Sequence, residues 1–331
     1  MTKQDTEKRK DHVSAWVLPS PLTFSDLISR IRPFALYGAF LLLIAMFTIL
    51  SPVFFSEGNF ANIGRQTALV SVMAVGMTMV IVTAEIDLSV ASTLALAGMS
   101  AALAMQVVNV WVVGAAAGLA TGALVGWING LLTTRLLIPS FIVTLGMLGI
   151  CRGVALVVTN TAPVLISNRT FDDIFGQGEF LHIPAPICLT ILTLLLGIYL
   201  LHLSTFGRKL YAAGGNPTAA RYSGINVARV KTVAFVLTGT LAGLAALVLS
   251  ALGEASRPDS GVGLELDVIA AVILGGTSLF GGRGTIVGTL IGSLIIGILN
   301  NGLVLIGVDA SWQLALKGCI IIFAVAFSER K

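Results

Sequence analysis

Charge is what this sequence lacks most. Only 11% of its 331 residues are Asp, Glu, Lys or Arg, against 56% hydrophobic residues and a mean hydropathy of +0.95. Soluble domains carry about a quarter charged residues, so a soluble globular class is excluded. The net charge of +4 says little about nucleic acid in such a chain, and no nucleic-acid partner is expected. Cysteine is scarce too: Cys151, Cys188 and Cys319 lie far apart in apolar segments with no C-x-x-C, which excludes a disulfide framework or thiolate metal site. His12, His182 and His202 are isolated, and neither H-E-x-x-H nor a nucleophile elbow occurs, so no enzyme active site, metal or cofactor is expected here. The glycine-rich "GGTSLFGGRG" (275–284) lacks the G-K-[ST] end of a phosphate loop. Its glycines are read as close-packing positions, with a tight turn at Arg283.

What the sequence does have is long apolar runs, many of them able to span a bilayer core. They predict an all-α polytopic membrane protein with about ten transmembrane helices, at 34–50, 67–84, 88–107, 111–133, 140–159, 187–203, 232–252, 267–280, 285–306 and 312–327. Residues 1–33 and 328–331 read as hydrophilic tails. The first apolar run starts too late for a simple cleaved signal and lacks an A-x-A-like site after it, so it reads as a retained span. Segments 88–107 and 111–133 are joined by so little that a tight helical hairpin is expected. Segment 267–280 is short for a full crossing and is expected to be broken or partly re-entrant.

Basic residues set the orientation. With the N-terminus in the cytoplasm, Lys3, Lys8, Arg9, Lys10, Arg30, Arg32, Arg135, Arg208, Lys209, Arg221, Arg229, Lys231, Arg283, Arg330 and Lys331 fall inside, and only Arg65, Arg169 and Arg257 fall outside. This is the bias that cytoplasmic loops carry, and it puts both termini inside. The outer connections hold acids instead: Asp172, Asp173, Glu179, Glu254, Asp259 and Glu265.

The chain also resembles itself. "GWINGLLTTRLLIPSFIVTL" from Gly126 and "GILNNGLVLIGVDASWQLAL" from Gly297 align without a gap, pairing Gly126 with Gly297, Asn129 with Asn300 and Ser140 with Ser311. After a shift of register, "EIDLSV" at Glu85 matches "ELDVIA" at Glu265. The two acidic pairs fall on opposite membrane faces, so halves at about 67–159 and 232–327 are related by inversion, an arrangement found in transporters.

One segment breaks the apolar pattern. "GGNPTAARYSGINVARVK" (214–231) closes a stretch, Ser204–Lys231, with five basic residues and no acid. Asn216 suits an N-cap, Pro217 the first helical position and Gly224 a left-handed stop. Gly214 and Gly215 are expected to leave the short helix free to lie flat. Anchoring to anionic headgroups is one reading of this loop; a docking knob of small residues for another protein is the other.

The motifs "IDLSVAS" (86–92), "GWINGLL" (126–132), "RGVALVVT" (152–159), "AAGGNPTAARYSGINVARVK" (212–231) and "ELDVIAAVILGGTSLFGGRGTIVGTLIGSLIIGILNNGL" (265–303) resemble those of permease subunits of ABC importers for simple sugars, over roughly residues 35–327. The resemblance implies a cell inner-membrane subunit that works with an ABC ATPase, a periplasmic sugar-binding protein and a second permease, either a copy or a relative. ATP and Mg would sit on the ATPase. By the same resemblance, Gly214, Gly215, Asn216, Pro217, Ala219, Ala220, Arg221 and Gly224 form a coupling helix seated in a groove of that ATPase. Family members usually carry two glycines where Ala84 and Glu85 stand here, and commonly Gly at Ala91.

Polar groups at membrane depth are costly and often functional. Asn129, Asn300 and Asn301 are amides suited either to the hydroxyls of a neutral polyol or to bonds between helices. Arg152 reads as a structural ion pair or as snorkelling near the outer side in preference to a substrate contact, and Lys317 also lies in an apolar segment. Glu85 and Asp87 read as capping or gating groups, with Asp267 as the counterpart of Asp87. An ion-coupled secondary transporter would share inverted halves but needs carboxylates deep in the spans, and a non-transporting scaffold would use the amides only for assembly.

Overall fold

The computed structural model describes residues 24–326, so residues 1–23 and 327–331 of the expected tails lie outside the described residues. Helix α1 (Phe24–Leu50) begins upstream of its apolar stretch, Leu36–Leu50. The first half follows as α2 (Glu57–Val82), α3 (Val90–Val107), α4 (Trp111–Arg135) and α5 (Ser140–Val158). Ser56 starts α2 by accepting from the Asn59 N–H at 3.3 Å, ten residues before the apolar run expected at 67. Helix α3 stops at Val107 and α4 starts at Trp111, the hairpin anticipated from the short connection.

A connecting region holds two-residue strands and the single turn α6 (Arg169–Asp172), then α7 (Ala185–Ile198), whose end relaxes into a π-turn at Tyr199–Leu203. Next come α8 (Thr205–Gly215) and α9 (Pro217–Tyr222). The second half comprises α10 (Val227–Leu252), α11 (Leu264–Leu274), α12 (Ile286–Leu305) and α13 (Ala310–Ala326). Among the described residues, seven helices are long and apolar enough to cross a bilayer: α2, α3, α4, α5, α7 with its π-turn, α10 and α12. The molecule is an all-α polytopic membrane protein. The other three expected segments fall on α1, α11 and α13, whose apolar stretches are shorter.

Segment 267–280 is not one helix. Helix α11 has 11 residues, a rise of roughly 16 Å and about half a bilayer core. The chain then runs without helix from Gly275 to Thr285. Gly276, Gly281 and Gly282 carry φ of 86°, 78° and 73° there, giving the tight turn expected beside Arg283.

Side-chain ties fix the directions of the helices. Lys231, near the start of α10, pairs with Glu85, just past the end of α2. These two helices pack together, so they run antiparallel through the centre. Strand β1 (Val164–Leu165), beyond α5, pairs antiparallel with β2 (Ala255–Ser256), beyond α10, on the opposite face. Partners are exchanged: α10, which opens the second half, packs along α4 of the first, while α2, which opens the first half, packs along α12 of the second. Within each half the short-loop neighbours also meet, α3 with α4 and α5, and α11 with α12 and α13.

The exchanged contacts are backbone-close. A Cβ added at Gly122 would strike the Gly239 carbonyl, and one at Gly126 the Phe235 carbonyl. In the other half a Cβ at Gly297 would strike the Thr67 hydroxyl. Small residues allow such approach where apolar driving force between helices is weak. The core sits at this crossing, with Met73 and Met77 of α2, Leu94 of α3, Val268 and Val272 of α11 and Ile296 of α12 all buried.

Candidate functional site

Helix α9 forms as its residues dictate. Asn216 accepts from the Ala219 N–H at 2.9 Å, Pro217 occupies the first position and Gly224 stops the turn at φ 79°. Gly215, Asn216, Pro217, Ala219, Arg221 and Gly224 are exposed, and Tyr222 is 90% exposed. Ala220 faces the other way and is buried against Val227 and Val230, so it anchors the helix rather than presenting it.

The expectation that Gly214 and Gly215 act as hinges is corrected. Both belong to the last turn of α8, and Gly214 is buried so tightly that a Cβ would strike the Val82 carbonyl. Gly214 is small because a neighbouring backbone passes, not because the chain must swivel. Tyr211 of α8 donates to the Gly284 carbonyl at 2.7 Å, and His202 Nε2 accepts from the Ile286 N–H at 3.2 Å. The segment before α9 is therefore a packed platform.

The link between α2 and α3, residues 83–89, is held from the 275–285 loop, α5 and α10. Ala84 takes a left-handed φ of 61°, the Gly282 N–H donates to Val82 O at 2.9 Å, and Ser140 Oγ accepts from the Ile86 N–H at 3.2 Å. Thr144 donates to Ile86 O at 3.3 Å. Glu85 pairs with Lys231, with side chains only 13% and 17% exposed. A charge pair this shielded is held by its geometry. Lys231 read in sequence only as a basic loop charge, and nothing in the sequence joins it to a residue 146 positions away.

Asp87 is buried, and its Oδ1 accepts from the Ser89 N–H at 2.9 Å and from Ser89 Oγ at 2.6 Å, fixing Ser89 as N-cap of α3. Asn129 of α4 donates through Nδ2 to Ser89 Oγ at 2.9 Å. In the second half, Asp267 Oδ2 accepts from Asn300 Nδ2 at 3.2 Å and pairs with Lys317 Nζ at 2.9 Å. The residues matched by the sequence alignment, Asp87 with Asp267 and Asn129 with Asn300, thus sit in corresponding Asp–Asn networks. Asn301 belongs elsewhere: its Nδ2 donates to Asn59 Oδ1 at 2.9 Å, tying α12 to α2. Among the described residues, Oδ1 of Asn129, Asn300, Asn301 and Asp267 is buried with no hydrogen-bond partner. Each is an acceptor for a hydroxyl, and leaving one unpaired is costly.

Arg152 reaches the far loop, where it donates to Pro258 O at 2.6 Å and Ser260 O at 2.8 Å. Its partners are carbonyls, not the carboxylate of an ion pair, and the long side chain extends toward the face opposite α9. Ser89, Asn59 and Lys231 are the network members that sequence reading missed, because each acts through a partner distant in sequence.

Residues 59–325 match the family model described as branched-chain amino acid transport system / permease component. The chain is 42% identical over 334 residues to the ribose import permease protein RbsC of Escherichia coli (strain K12), with all of both chains covered. It is 45% identical over 312 residues to the RbsC of Bacillus subtilis (strain 168), covering 93% of this chain and 95% of the relative. It is also 38% identical over 290 residues to the L-arabinose ABC transporter permease protein AraH of Azospirillum brasilense, covering 88% and 85%. No solved structure matches it significantly. With its multi-pass helical body and a match along nearly its whole length, this chain belongs to the family of ABC importer permease components.

Proposed function

We propose that this chain is the transmembrane permease subunit of an ATP-driven, binding-protein-dependent sugar importer, docking its ATPase through α9. The relatives named for ribose and arabinose support a sugar as cargo. Two permeases, copies or relatives, line the pathway, and a periplasmic binding protein delivers substrate to the acidic outer face. ATP and Mg belong to the ATPase. The face that carries α9 is cytoplasmic, together with both termini, and the membrane is the inner membrane; the basic residues concentrated on that face support this. The two halves are inverted copies, a reading supported by antiparallel α2 and α10, their exchanged packing and the paired Asp–Asn networks.

The single observation that carries the docking role is α9 itself: a capped helix, exposed along Pro217–Ala219 and at Arg221–Gly224, standing on a rigid platform. A lipid-anchoring loop needs charges but no cap and no platform. The unpaired Oδ1 atoms of Asn129, Asn300 and Asn301 supply acceptors for sugar hydroxyls once the pathway opens. Buried carboxylates do not call for ion coupling here, since Asp267 is offset by Lys317 and Asp87 is spent on Ser89.

The test is a cysteine at Ala219. In the assembled transporter, Ala219→Cys crosslinks to the ATPase and reacts with a membrane-impermeant reagent only from the cytoplasm. Labelling from the periplasm alone would reverse the topology and remove the docking role. Sugar uptake by proteoliposomes of the permease alone, against a gradient and without ATPase, would contradict the division of labour.

A further inference from the structure

Beside α9 lies a cavity of about 220 Å³, whose lining includes Glu85, Thr133, Thr134, Pro139, Arg221 and Lys231. Three observations define what it accepts. First, its lining holds two cations and one carboxylate, so it is positive after Glu85 has paired with Lys231. Second, Arg221 belongs to α9, and while its carbonyl accepts from the Gly224 N–H at 3.0 Å, its exposed guanidinium has no hydrogen-bond or ion-pair partner among the described residues, leaving a planar fork suited to a carboxylate. Third, Thr133 is only 8% exposed, and its hydroxyl is buried without a partner. An orphaned hydroxyl at the wall of a positive cavity is a donor waiting for an anionic oxygen.

We infer that this cavity receives a carboxylate side chain of the partner ATPase, held by Arg221 and Thr133 when α9 docks. The inference rests on the docking role proposed above and adds the chemistry of the contact. The stretch 204–231 contains no acid of its own, and Glu85, the carboxylate in the lining, is already paired with Lys231, so the charge that meets Arg221 comes from the partner. A water occupies about 30 Å³ of liquid, so the cavity has room for one acidic side chain and a few waters. Because Lys231 lines the same cavity, the incoming carboxylate competes with Glu85 for its ammonium. Lys231 then loosens its hold on residues 83–89, which remain tied to Ser140 and Gly282. Docking at the surface thereby reaches the Asp87–Ser89–Asn129 network.

The experiment measures association of the detergent-solubilised permease with its ATPase as salt is varied, alongside the Ala219→Cys crosslink. Arg221→Gln weakens association about tenfold at low salt, the loss expected for one charge-assisted contact, and flattens the salt dependence. Thr133→Val weakens it several-fold, whereas Thr133→Ser, which keeps the hydroxyl, binds as wild type. Replacing the acids of the ATPase groove one at a time by Arg identifies one that restores binding to Arg221→Glu. Wild-type association by both Arg221→Gln and Thr133→Val, with the crosslink intact, would overturn the inference while leaving α9 as the docking element. Absence of the crosslink in an otherwise wild-type transporter would remove the docking role and the inference with it. Inorganic phosphate raising the melting temperature of the permease alone, through Arg221 and without any effect of Arg221→Gln on association, would make the cavity a free-anion site and also overturn it.

Discussion

At the residue scale, the smallest side chains carry the tightest constraints. Gly122 and Gly239 meet backbone to backbone where α4 crosses α10. Gly122→Ala is expected to cost about 2 kcal/mol, the penalty of forcing a methyl into a filled contact, read as a lower melting temperature in detergent. Gly146, beside which a Cβ would meet nothing, serves as the control, and Gly146→Ala should not lower the melting temperature. Asp172, in the outer connection, is governed by charge instead. Burial first, and then the charges of Glu254 and Asp173, push its carboxyl above the ordinary 3.8. The folded state then binds its proton more readily than the unfolded state, so this group's contribution to stability falls as pH climbs from 3.8 through the folded value. Asp172→Asn should raise the melting temperature at neutral pH, and the advantage should vanish at about pH 3, where both states are protonated. An equal gain at both pH values would refute the charge argument.

At the scale of elements, helix α9 was legible in the sequence down to its cap, its proline and its left-handed glycine, because all three signals are local. Asn216→Ala removes the one side-chain bond that closes its first turn. A cap of this kind contributes about 1 kcal/mol, so amide exchange at Ala219 should quicken about fivefold while α8 is unaffected. The same local reasoning misjudged Gly214, which sits jammed against Val82 and gives no freedom. A glycine selected for a neighbour's approach looks the same in sequence as one selected for its own flexibility. Helix α11 was half legible: its shortness was visible, but its true start at Leu264 and stop at Leu274 depend on Gly263 in the left-handed region and on Gly275 pressed against Gly288. The polar networks were legible as residue types and illegible as contacts. Asn129 and Asp87 meet at the Ser89 hydroxyl, 40 positions from Asn129 in the chain, and Lys231 reaches Glu85 only because α2 and α10 are antiparallel.

At the scale of the whole molecule, the two halves share a plan and differ in charge. The ungapped alignment that pairs Asn129 with Asn300 next sets Gly146 against Lys317. Asp267, itself buried, therefore has a partly buried cation, and Asp87 has only hydrogen-bond donors. Asp87→Asn keeps the acceptor and should be close to neutral in stability. Asp267→Asn strands Lys317 and should cost about 3 kcal/mol, as removing one member of a buried pair does. Adding Lys317→Met should recover much of that loss, and thermal melts of the single and double variants measure the coupling. Equal effects of Asp87→Asn and Asp267→Asn would mean the halves are electrostatically alike.

The exchange of partners between halves also governs how the chain is made. When α2 leaves the ribosome, the helix it packs along, α12, is still some 200 residues from synthesis, a separation read from Glu57–Val82 and Ile286–Leu305. Helix α4 likewise waits for α10 to cover the glycines at 118, 122 and 126. Early in biogenesis the bilayer, or the insertion machinery, must shelter both surfaces. A nascent chain halted before α10 emerges is consequently an exposed quality-control substrate and not a half-sized protein.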